Sequence, residues 1–402
     1  MMPSHSNESP IIAPRRGEDN LKMRSSPATP ALPVVLVYRG QRKSVPSGHD
    51  VGTLWALARQ IAELKGTELA GEFDEKHAYP AHRYLVPDDT LTLAQARKLG
   101  VRSERYLFGG VVPFAFVATK LIAHALPDDA QASPPGWSRV FGEHIGSLVL
   151  PGYAAFSRVD ACNAARILWQ EGGVRIKRPY GVGGAGQSVV ADMDELEAEL
   201  DALGDAALRA EGIVVERQLD SIETLSVGQV TLDDLVASYY GVQHLTVNNH
   251  GHHVYGGTDL VAVHGSFDLL MQLDVMSDVQ EAIIKARAFD AAVQNDYAGF
   301  FASRRNYDVA WGIDAQGVRR CGVLEQSWRI GGATGAELGA LRMFRADPRV
   351  HAVRASTREI YGGDVQVPDG ACVIYRGVDP QAGAITKYYT VDRNTLQGSN
   401  GI

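Results

Sequence analysis

The sequence predicts an α/β protein in which a small N-terminal α/β layer is followed by antiparallel sheets. Three observations support this prediction. Residues 34–38 form a β-type run, and apolar residues follow at helical spacing over 51–64, which is the strand, loop and helix order of an α/β layer. Residues 174–177 and 187–191 have strand patterns on either side of a glycine-rich loop. The alternating pattern within 225–247 favours antiparallel hairpins.

Length, charge and cysteine content narrow the class of protein. A chain of 402 residues is too long for one small core, so two or three domains are expected. The net charge of −8 argues against nucleic-acid binding, which usually needs a basic surface. Cys162, Cys321 and Cys372 are far apart and form no Cys-x-x-Cys pair, which favours a reducing compartment. We find no targeting segment and no apolar run long enough for a bilayer, and therefore predict a cytoplasmic protein without membrane contact.

The stretch 173–190 is the most informative part of the sequence. A strand pattern ends at Lys177 and is stopped by Pro179, which gives no donor to a sheet. Four glycines follow in the loop, namely Gly181, Gly183, Gly184 and Gly186. Glycine allows bare backbone N–H groups to come close to an anion. A lysine at a strand end beside such a loop predicts phosphate binding.

Three kinds of nucleotide-binding loop were compared with this stretch. A P-loop requires Gly-Lys-Ser/Thr, but Gly186 is followed by Gln187. A Rossmann fingerprint matches the spacing of 181–186, but it needs a helix directly after the loop. Here a strand pattern comes first, and the helix begins only after Asp192. The order of elements favours the third kind, a flap between two antiparallel strands with the lysine on the preceding strand.

With its later motifs, the chain resembles the ATP-grasp superfamily over about residues 150–345. The segment KRPYGVGGAGQSV at 177–189 is similar to that superfamily's lysine and glycine flap, and VVERQL at 214–219 is similar to its adenine hinge. Such a hinge offers one backbone acceptor and one backbone donor to adenine, and Glu223 stands where a ribose-binding carboxylate is expected. The resemblance assigns nucleotide binding to Lys177, Gly181, Gly183, Gly184, Gly186, Gln187, Glu216, Arg217, Gln218, Leu219 and Glu223.

Two further motifs resemble the strands that carry the superfamily's magnesium carboxylates. They are YDVAW at 307–311 and LEQSWR at 324–329, and they assign metal binding to Asp308 and Glu325. Both carboxylates lie in apolar strands, where burial without a partner is costly and a bound cation removes that cost. The resemblance therefore implies ATP and Mg²⁺ as cofactors.

The second of these motifs also differs from the superfamily. Arg329 matches the arginine of the Glu-x-Asn-x-Arg pattern of biotin carboxylase and related ligases, and we predict that it is catalytic together with Lys177. Ser327 occupies the asparagine position and is the third predicted metal ligand, with a hydroxyl in place of an amide oxygen. The alternatives are that Gln326 turns in, or that water fills the place. The stretch GGATGAE at 331–337 further resembles a proteobacterial ATP-grasp-like family of unknown function.

The resemblance also implies a domain organisation. We predict a disordered tail at 1–30, an N-terminal α/β domain similar to a pre-ATP-grasp domain at 31–150, and a small β-rich C-terminal extension at 346–402. The ATP-grasp domain spans 151–345, with a lid at about 157–215, and its two subdomains hold ATP between antiparallel sheets. From its residues, the apolar stretch 107–125 is interpreted as an internal helix that packs the first domain and that runs through Lys120 and His124 after Pro113.

The implied activity is an ATP- and Mg-dependent ligase that activates a small-molecule carboxylate as an acyl phosphate for attack by an amine or similar nucleophile. A homodimer is one option, because dimers are common in this superfamily. The first alternative is a catalytically weakened nucleotide-binding module with a sensing or scaffolding role, which Ser327 favours. A second alternative is a kinase-like enzyme that stops at phosphoryl transfer.

Overall fold

The computed structural model describes residues 33–40, 47–80, 82–181 and 186–392. The predicted tail at 1–30 and the loop glycines Gly183 and Gly184 lie outside the described residues. The strands are β1 (Val34–Tyr38), β2 (Glu68–Glu72), β3 (Arg83–Pro87), β4 (Leu91–Thr92), β5 (Gly110–Val112), β6 (Gly152–Ala155), β7 (Val174–Lys177), β8 (Gln187–Val190), β9 (Ile213–Arg217), β10 (Asp220–Leu232), β11 (Leu235–Val247), β12 (His253–His264), β13 (Phe301–Ala302), β14 (Arg304–Ile313), β15 (Arg319–Ser327), β16 (Ala352–Tyr361), β17 (Cys372–Asp379) and β18 (Gly383–Asp392). The α-helices are α1 (Gly48–Lys65), α2 (Leu93–Leu99), α3 (Arg139–Ile145), α4 (Arg158–Trp169), α5 (Met193–Leu203), α6 (Asp205–Glu211), α7 (Phe267–Leu270), α8 (Ser277–Asp296) and α9 (Thr334–Ala346).

The N-terminal layer is a parallel sheet in the order β2-β1-β3. Helix α1 follows β1, and Ser47 caps it by accepting a hydrogen bond from the backbone of Asp50. The predicted apolar stripe of this helix is buried, with Leu57 and Ile61 at its centre. The predicted strand, loop and helix order is therefore confirmed.

The prediction of a helix in 107–125 that runs through Lys120 and His124 is wrong. This segment forms β5 and then two short 3₁₀ helices, Ala115–Ala118 and Lys120–Ala123. Thr119 between them has an extended backbone, and its hydroxyl accepts from the N–H of Leu121, so it begins a new turn. The helical hydrogen-bond ladder cannot continue through an extended residue, although the apolar side chains are buried as a helix would have buried them.

The four-stranded sheet has the order β6-β9-β7-β8, and all of its pairs are antiparallel. Strands β7 and β8 flank the glycine loop, with Lys177 paired to Gln187 at the ends nearest to it. Helices α4 and α5 cover one face through an apolar cluster that includes Leu168 and Leu196. The predicted pair of antiparallel strands around the loop is confirmed.

The eight-stranded sheet has the order β15-β14-β10-β11-β12-β16-β18-β17 and is antiparallel throughout. Side chains alternate between its faces, so that Tyr240 packs toward α8 while its neighbour Tyr239 packs toward α9 and α1. Strands β16 to β18 come from the predicted C-terminal extension and continue this sheet. The predicted domain divisions at 150 and 345 remain predictions.

Candidate functional site

A cavity of about 990 Å³ lies between the four-stranded and the eight-stranded sheet. The four-stranded sheet contributes Lys177 from the end of β7 and Glu216 from β9. The eight-stranded sheet contributes Asp308 from β14 and Glu325 from β15. Residues that were assigned to phosphate, adenine and metal from separate motifs therefore line one cavity.

Lys177 is held by a buried ionic network. Its Nζ lies 2.5 Å from Oε1 of Glu216, and Nε2 of His124 lies 3.0 Å from Oε2 of the same carboxylate. All three side chains are almost completely buried. Burial by itself would raise the pKa of Glu216, but the charge of Lys177 and the contacts of His124 outweigh burial and lower this pKa to about 2. The lysine is therefore fixed at the cavity wall by a stably ionised carboxylate.

A second buried lysine lines the same cavity. Lys120 is 5% exposed, and its Nζ lies 2.9 Å from Oε2 of Glu325 and donates to the carbonyl of Gly181 over 3.1 Å. It therefore joins the predicted metal carboxylate to the first glycine of the loop. Two ammonium groups that line one cavity are suited to the oxygens of a polyphosphate.

The glycine loop is described only at its ends. Gly186 has a φ of +71° and its carbonyl accepts from the N–H of Arg178 over 2.8 Å, which closes the base of the loop. Gln187 lines the cavity, and its Oε1 accepts from Arg175 over 3.3 Å. Phosphate binding by the loop glycines remains a prediction.

The predicted adenine hinge lies where β9 ends. The backbone N–H of Arg217 donates to Pro151, and that of Gln218 donates to Gly173. The Arg217 side chain is buried and pairs with Glu171 and Asp314, while Leu219 is buried and lines the cavity. Glu223, in contrast, is exposed on β10 and is not among the residues that line the cavity. Contact of Glu223 with ribose remains a prediction.

The two predicted metal carboxylates face each other across neighbouring strands. Asp308 on β14 is the register partner of Glu325 on β15. Burial, followed by the negative charge of Glu325, raises the pKa of Asp308 to about 6. A divalent cation between the two carboxylates would remove both the repulsion and the burial cost, so this donor set fits magnesium. Within the described residues no group of three or more His, Cys, Asp or Glu side chains could hold a metal.

Ser327 lines the same cavity, two residues after Glu325 and on the same side of β15. Its carbonyl and hydroxyl accept from Nη1 of Arg304 over 3.2 and 3.5 Å. The alternative in which Gln326 turns in is wrong. Strand alternation sends this side chain to the opposite face, where its Nε2 donates to the carbonyls of Val117 and Thr119.

Arg329 follows the end of β15 and lines the cavity. Its Nε lies 3.5 Å from Oδ1 of Asp89, and its Nη1 donates to the carbonyl of Ile330. The carbonyl of Arg329 accepts from Nη1 of Arg304 over 2.5 Å. Arg304 is fully buried and forms a forked pair with Glu337 of α9, so the backbone that carries Arg329 is anchored to the core.

Sequence reasoning missed Lys120 and His124 as site residues. Both lie in the segment that was interpreted as a packing helix, and neither belongs to a recognisable spacing. The signal that could have found them is a lysine and a histidine within an otherwise apolar run, because a charged group is rarely buried unless it is paired. Only the folded chain brings them next to Glu325 and Glu216.

The chain has the ATP-grasp fold, which defines its structural class. N5-carboxyaminoimidazole synthetase from Staphylococcus aureus, crystallised with ADP, matches with a TM-score of 0.50 and 13% identity over 90% of this chain and 94% of that chain. Two other solved structures are less similar. They are the biotin carboxylase domain of a 2-oxoglutarate carboxylase from Hydrogenobacter thermophilus, with TM-score 0.46, 11% identity and coverage of 89% and 86%, and D-alanyl-alanine synthetase A from Vibrio cholerae, with TM-score 0.43, 10% identity and coverage of 79% and 94%.

Within this class, the chain belongs to the family described as protein of unknown function (DUF3182), whose pattern matches residues 37–389. No curated protein matches the sequence. The ATP-grasp fold that the sequence resemblance implied is thereby confirmed, and so is the expected similarity to a family of unknown function. In the part of the chain that the structure describes, none of the helices has the length and apolar character needed to span a membrane.

Proposed function

We propose that this protein is an ATP- and Mg-dependent ligase that activates a small-molecule carboxylate and transfers the acyl group to an amine or similar nucleophile. The observation that supports this most directly is one cavity lined by two buried lysines and by a facing pair of carboxylates. Lysines are suited to polyphosphate and paired carboxylates to Mg²⁺. The acceptor and the donor are not specified by these residues.

In the proposed reaction, an oxygen of the substrate carboxylate attacks the γ-phosphorus, the bond to ADP breaks, and an acyl phosphate forms. The nucleophile then attacks the acyl carbon, inorganic phosphate leaves, and the proton of the nucleophile passes to solvent. Magnesium would neutralise charge on the phosphate oxygens as the phosphoryl group moves.

The residues of the chain would orient these reactants without forming a covalent intermediate. Lys177 and Lys120 would hold the phosphates, and Asp308 and Glu325 would hold the cation. Arg329 stabilises the negative charge that develops on the acyl group and the leaving phosphate. Carboxylate and nucleophile would be the small-molecule partners, and a homodimer and a cytoplasmic location remain predictions.

The test is ATP turnover, measured as ADP and phosphate release across a panel of amino acids, small peptides and hydroxy acids. Wild type is expected to release phosphate only with a suitable carboxylate and nucleophile. Lys177→Ala and Glu325→Ala are expected to lower turnover by at least about 100-fold, because each removes a charge that acts on the transferred group. Lys98→Ala is the matched control, since Lys98 is exposed and outside the cavity.

The proposal is wrong if both site variants bind and turn over Mg-ATP as wild type does. A stable phosphorylated product in place of a ligated product would indicate a kinase-like enzyme.

A nucleotide-binding module without ligase activity is the second candidate. The observation that favours it is Ser327, which bonds to Arg304 in the place where related ligases carry a metal-binding asparagine. Tight Mg-ATP binding by calorimetry, without phosphate release across the whole panel, would support this candidate.

A further inference from the structure

Asn306 faces the position at which the Glu-x-Asn-x-Arg pattern lacks its asparagine. It is the register partner of Ser327, in the same way that Asp308 is the partner of Glu325 two residues further on. Asn306 is 7% exposed and lines the cavity. Its side-chain amide lies between two groups, with Oδ1 2.9 Å from the hydroxyl of Tyr239 and Nδ2 3.0 Å from Oδ1 of Asp308.

The hydroxyl of Tyr239 has one proton and two close neighbours that can accept it. Besides Asn306, it lies 2.5 Å from Oε1 of Glu337. Glu337 is fully buried and accepts two hydrogen bonds of 2.8 Å from Arg304, one on each oxygen, so it is an ionised carboxylate. Hydrogen bonds to an ionised acceptor are the stronger ones, and the short contact needs the proton. Tyr239 therefore donates to Glu337.

Once its proton is used, Tyr239 can only accept from Asn306. A hydrogen bond between the two residues then needs the NH₂ of Asn306 to face Tyr239, because an amide oxygen has no proton to offer. The two orientations of an amide differ by a 180° rotation and fill the same space, so the hydrogen-bond network decides between them. Each orientation places Oδ1 of Asn306 against another acceptor, which is the Tyr239 hydroxyl in one and Oδ1 of Asp308 in the other. Only the second orientation lets Nδ2 donate to Tyr239, and a cation beside Asp308 makes its pair of oxygens favourable.

This orientation brings two acceptors together. In the second orientation the amide oxygen of Asn306 takes the place of Nδ2, 3.0 Å from Oδ1 of Asp308. Such a pair is repulsive unless a proton or a cation lies between or beside the two oxygens. Two oxygens that bind one Mg²⁺ at right angles, each at about 2.1 Å, are separated by about 3.0 Å.

We propose that Asn306 is a metal ligand, and that it supplies from β14 the amide oxygen that Ser327 cannot supply from β15. The ligand set from the chain would then be Asp308, Glu325 and Asn306, on two strands of one ladder. Ser327 keeps its hydrogen bonds to Arg304 and contributes no ligand. This inference rests on the proposed function, because the cation is the one that would accompany the nucleotide phosphates.

The test is direct binding of Mn²⁺, followed by loss of the free-ion EPR signal, with and without ADP. Asn306→Ala is expected to weaken Mn²⁺ binding by at least about tenfold, whereas Ser327→Ala, the residue across the ladder, should change it by less than about twofold. Asn306→Asp keeps an oxygen at the site and should bind Mn²⁺ within about threefold of wild type, or more tightly.

The alanine variant separates the two roles of the amide. If Asn306 were only a hydrogen-bond donor to Asp308, Asn306→Ala would leave both carboxylates free for the cation and would bind Mn²⁺ as wild type does, or more tightly. That result would overturn the inference. Thermal unfolding of each variant shows that a changed affinity does not come from an unfolded chain, and Asn306→Val, which also lacks the oxygen, replaces Asn306→Ala if the latter misfolds.

Failure of this inference can be distinguished from failure of the proposed function. If Asp308→Ala abolishes Mn²⁺ binding while Asn306→Ala does not, the metal site exists with other ligands and only the role of Asn306 is wrong. If wild type binds neither Mn²⁺ nor ADP, the proposed function is wrong as well.

Discussion

Each of the two buried lysines that line the cavity forms an ion pair with a carboxylate. Lys177 is paired with Glu216, and Lys120 with Glu325, so neither ammonium is left unpaired in a low-dielectric site. His124 supports the first pair by binding the other oxygen of Glu216. Each lysine therefore reaches the cavity already oriented, and binding of phosphate would need little rearrangement.

The pH dependence of stability tests the network of Glu216. Its pKa is lowered from an ordinary 4.5 to about 2, so its contribution is fully present above pH 4.5 and is lost as the pH falls toward 2. The loss should be on the order of 3 kcal/mol. Glu216→Gln should lower the free energy of unfolding at pH 7 by about 3–5 kcal/mol, because it leaves Lys177 buried without its partner.

Urea denaturation from pH 2 to 7 provides the measurement. The difference in free energy of unfolding between wild type and Glu216→Gln should shrink below pH 4.5. Glu171→Gln alters a more exposed carboxylate, so its free energy of unfolding should follow the pH dependence of wild type. Parallel curves for wild type and Glu216→Gln would contradict this account.

Lys120 provides a second prediction at the residue scale. Lys120→Ala should weaken ADP binding about 10- to 100-fold, since a hydrogen bond to a charged group contributes about 1.5–3 kcal/mol. Calorimetry with Mg-ADP measures this affinity, and the exposed Lys98→Ala should bind as wild type does. An unchanged affinity in Lys120→Ala would remove this lysine from the phosphate site.

Backbone geometry decides where individual elements begin and end. Gly204, with a φ of +78°, separates α5 from α6. In β12, Gly257 has a φ of +138°, and a Cβ at this position would lie 2.0 Å from the carbonyl oxygen of Thr357. The close approach of β12 and β16 brings Thr258 and Thr357 to the wall of the cavity.

Substitution of Gly257 tests this close approach. Gly257→Ala should lower the free energy of unfolding by about 3 kcal/mol, because the obstacle is backbone and the φ is unfavourable for alanine. Gly363→Ala is the control, since a Cβ there meets nothing within 4 Å, and it should change stability by less than about 0.5 kcal/mol. Chemical denaturation measures the stability of both variants, and equal losses of stability would contradict the predicted clash between a Cβ at position 257 and Thr357.

At the scale of the whole molecule, the cavity lies between two sheets that are formed by strands within 152–217 and within 220–392. A ligand that contacts both sheets binds only the folded chain and therefore stabilises it. Mg-ADP at 100 times its dissociation constant should raise the free energy of unfolding by about 2.7 kcal/mol. A thermal shift measures this effect, and Lys177→Ala should reduce it. A full shift in that variant would place the nucleotide elsewhere.

The sequence by itself determined the order of elements and the chemistry of the motifs. The α/β opening and the flap strands around Lys177 follow from local periodicity and turn residues, which act over a few neighbouring residues. The roles of Asp308 and Glu325 are implied by the resemblance to the ATP-grasp superfamily, which rests on short motifs in the sequence.

Only the tertiary structure decided which distant residues meet. Lys120 and His124 acquire partners through contacts across 205 and 92 positions of the chain, and Asn306 meets Ser327 through strand register. Register and long-range pairing depend on how apolar faces pack and on where buried charges find partners, and no local spacing encodes these. The motifs could therefore be predicted to bind a nucleotide, whereas the lysine pair and the amide beside Asp308 required the fold.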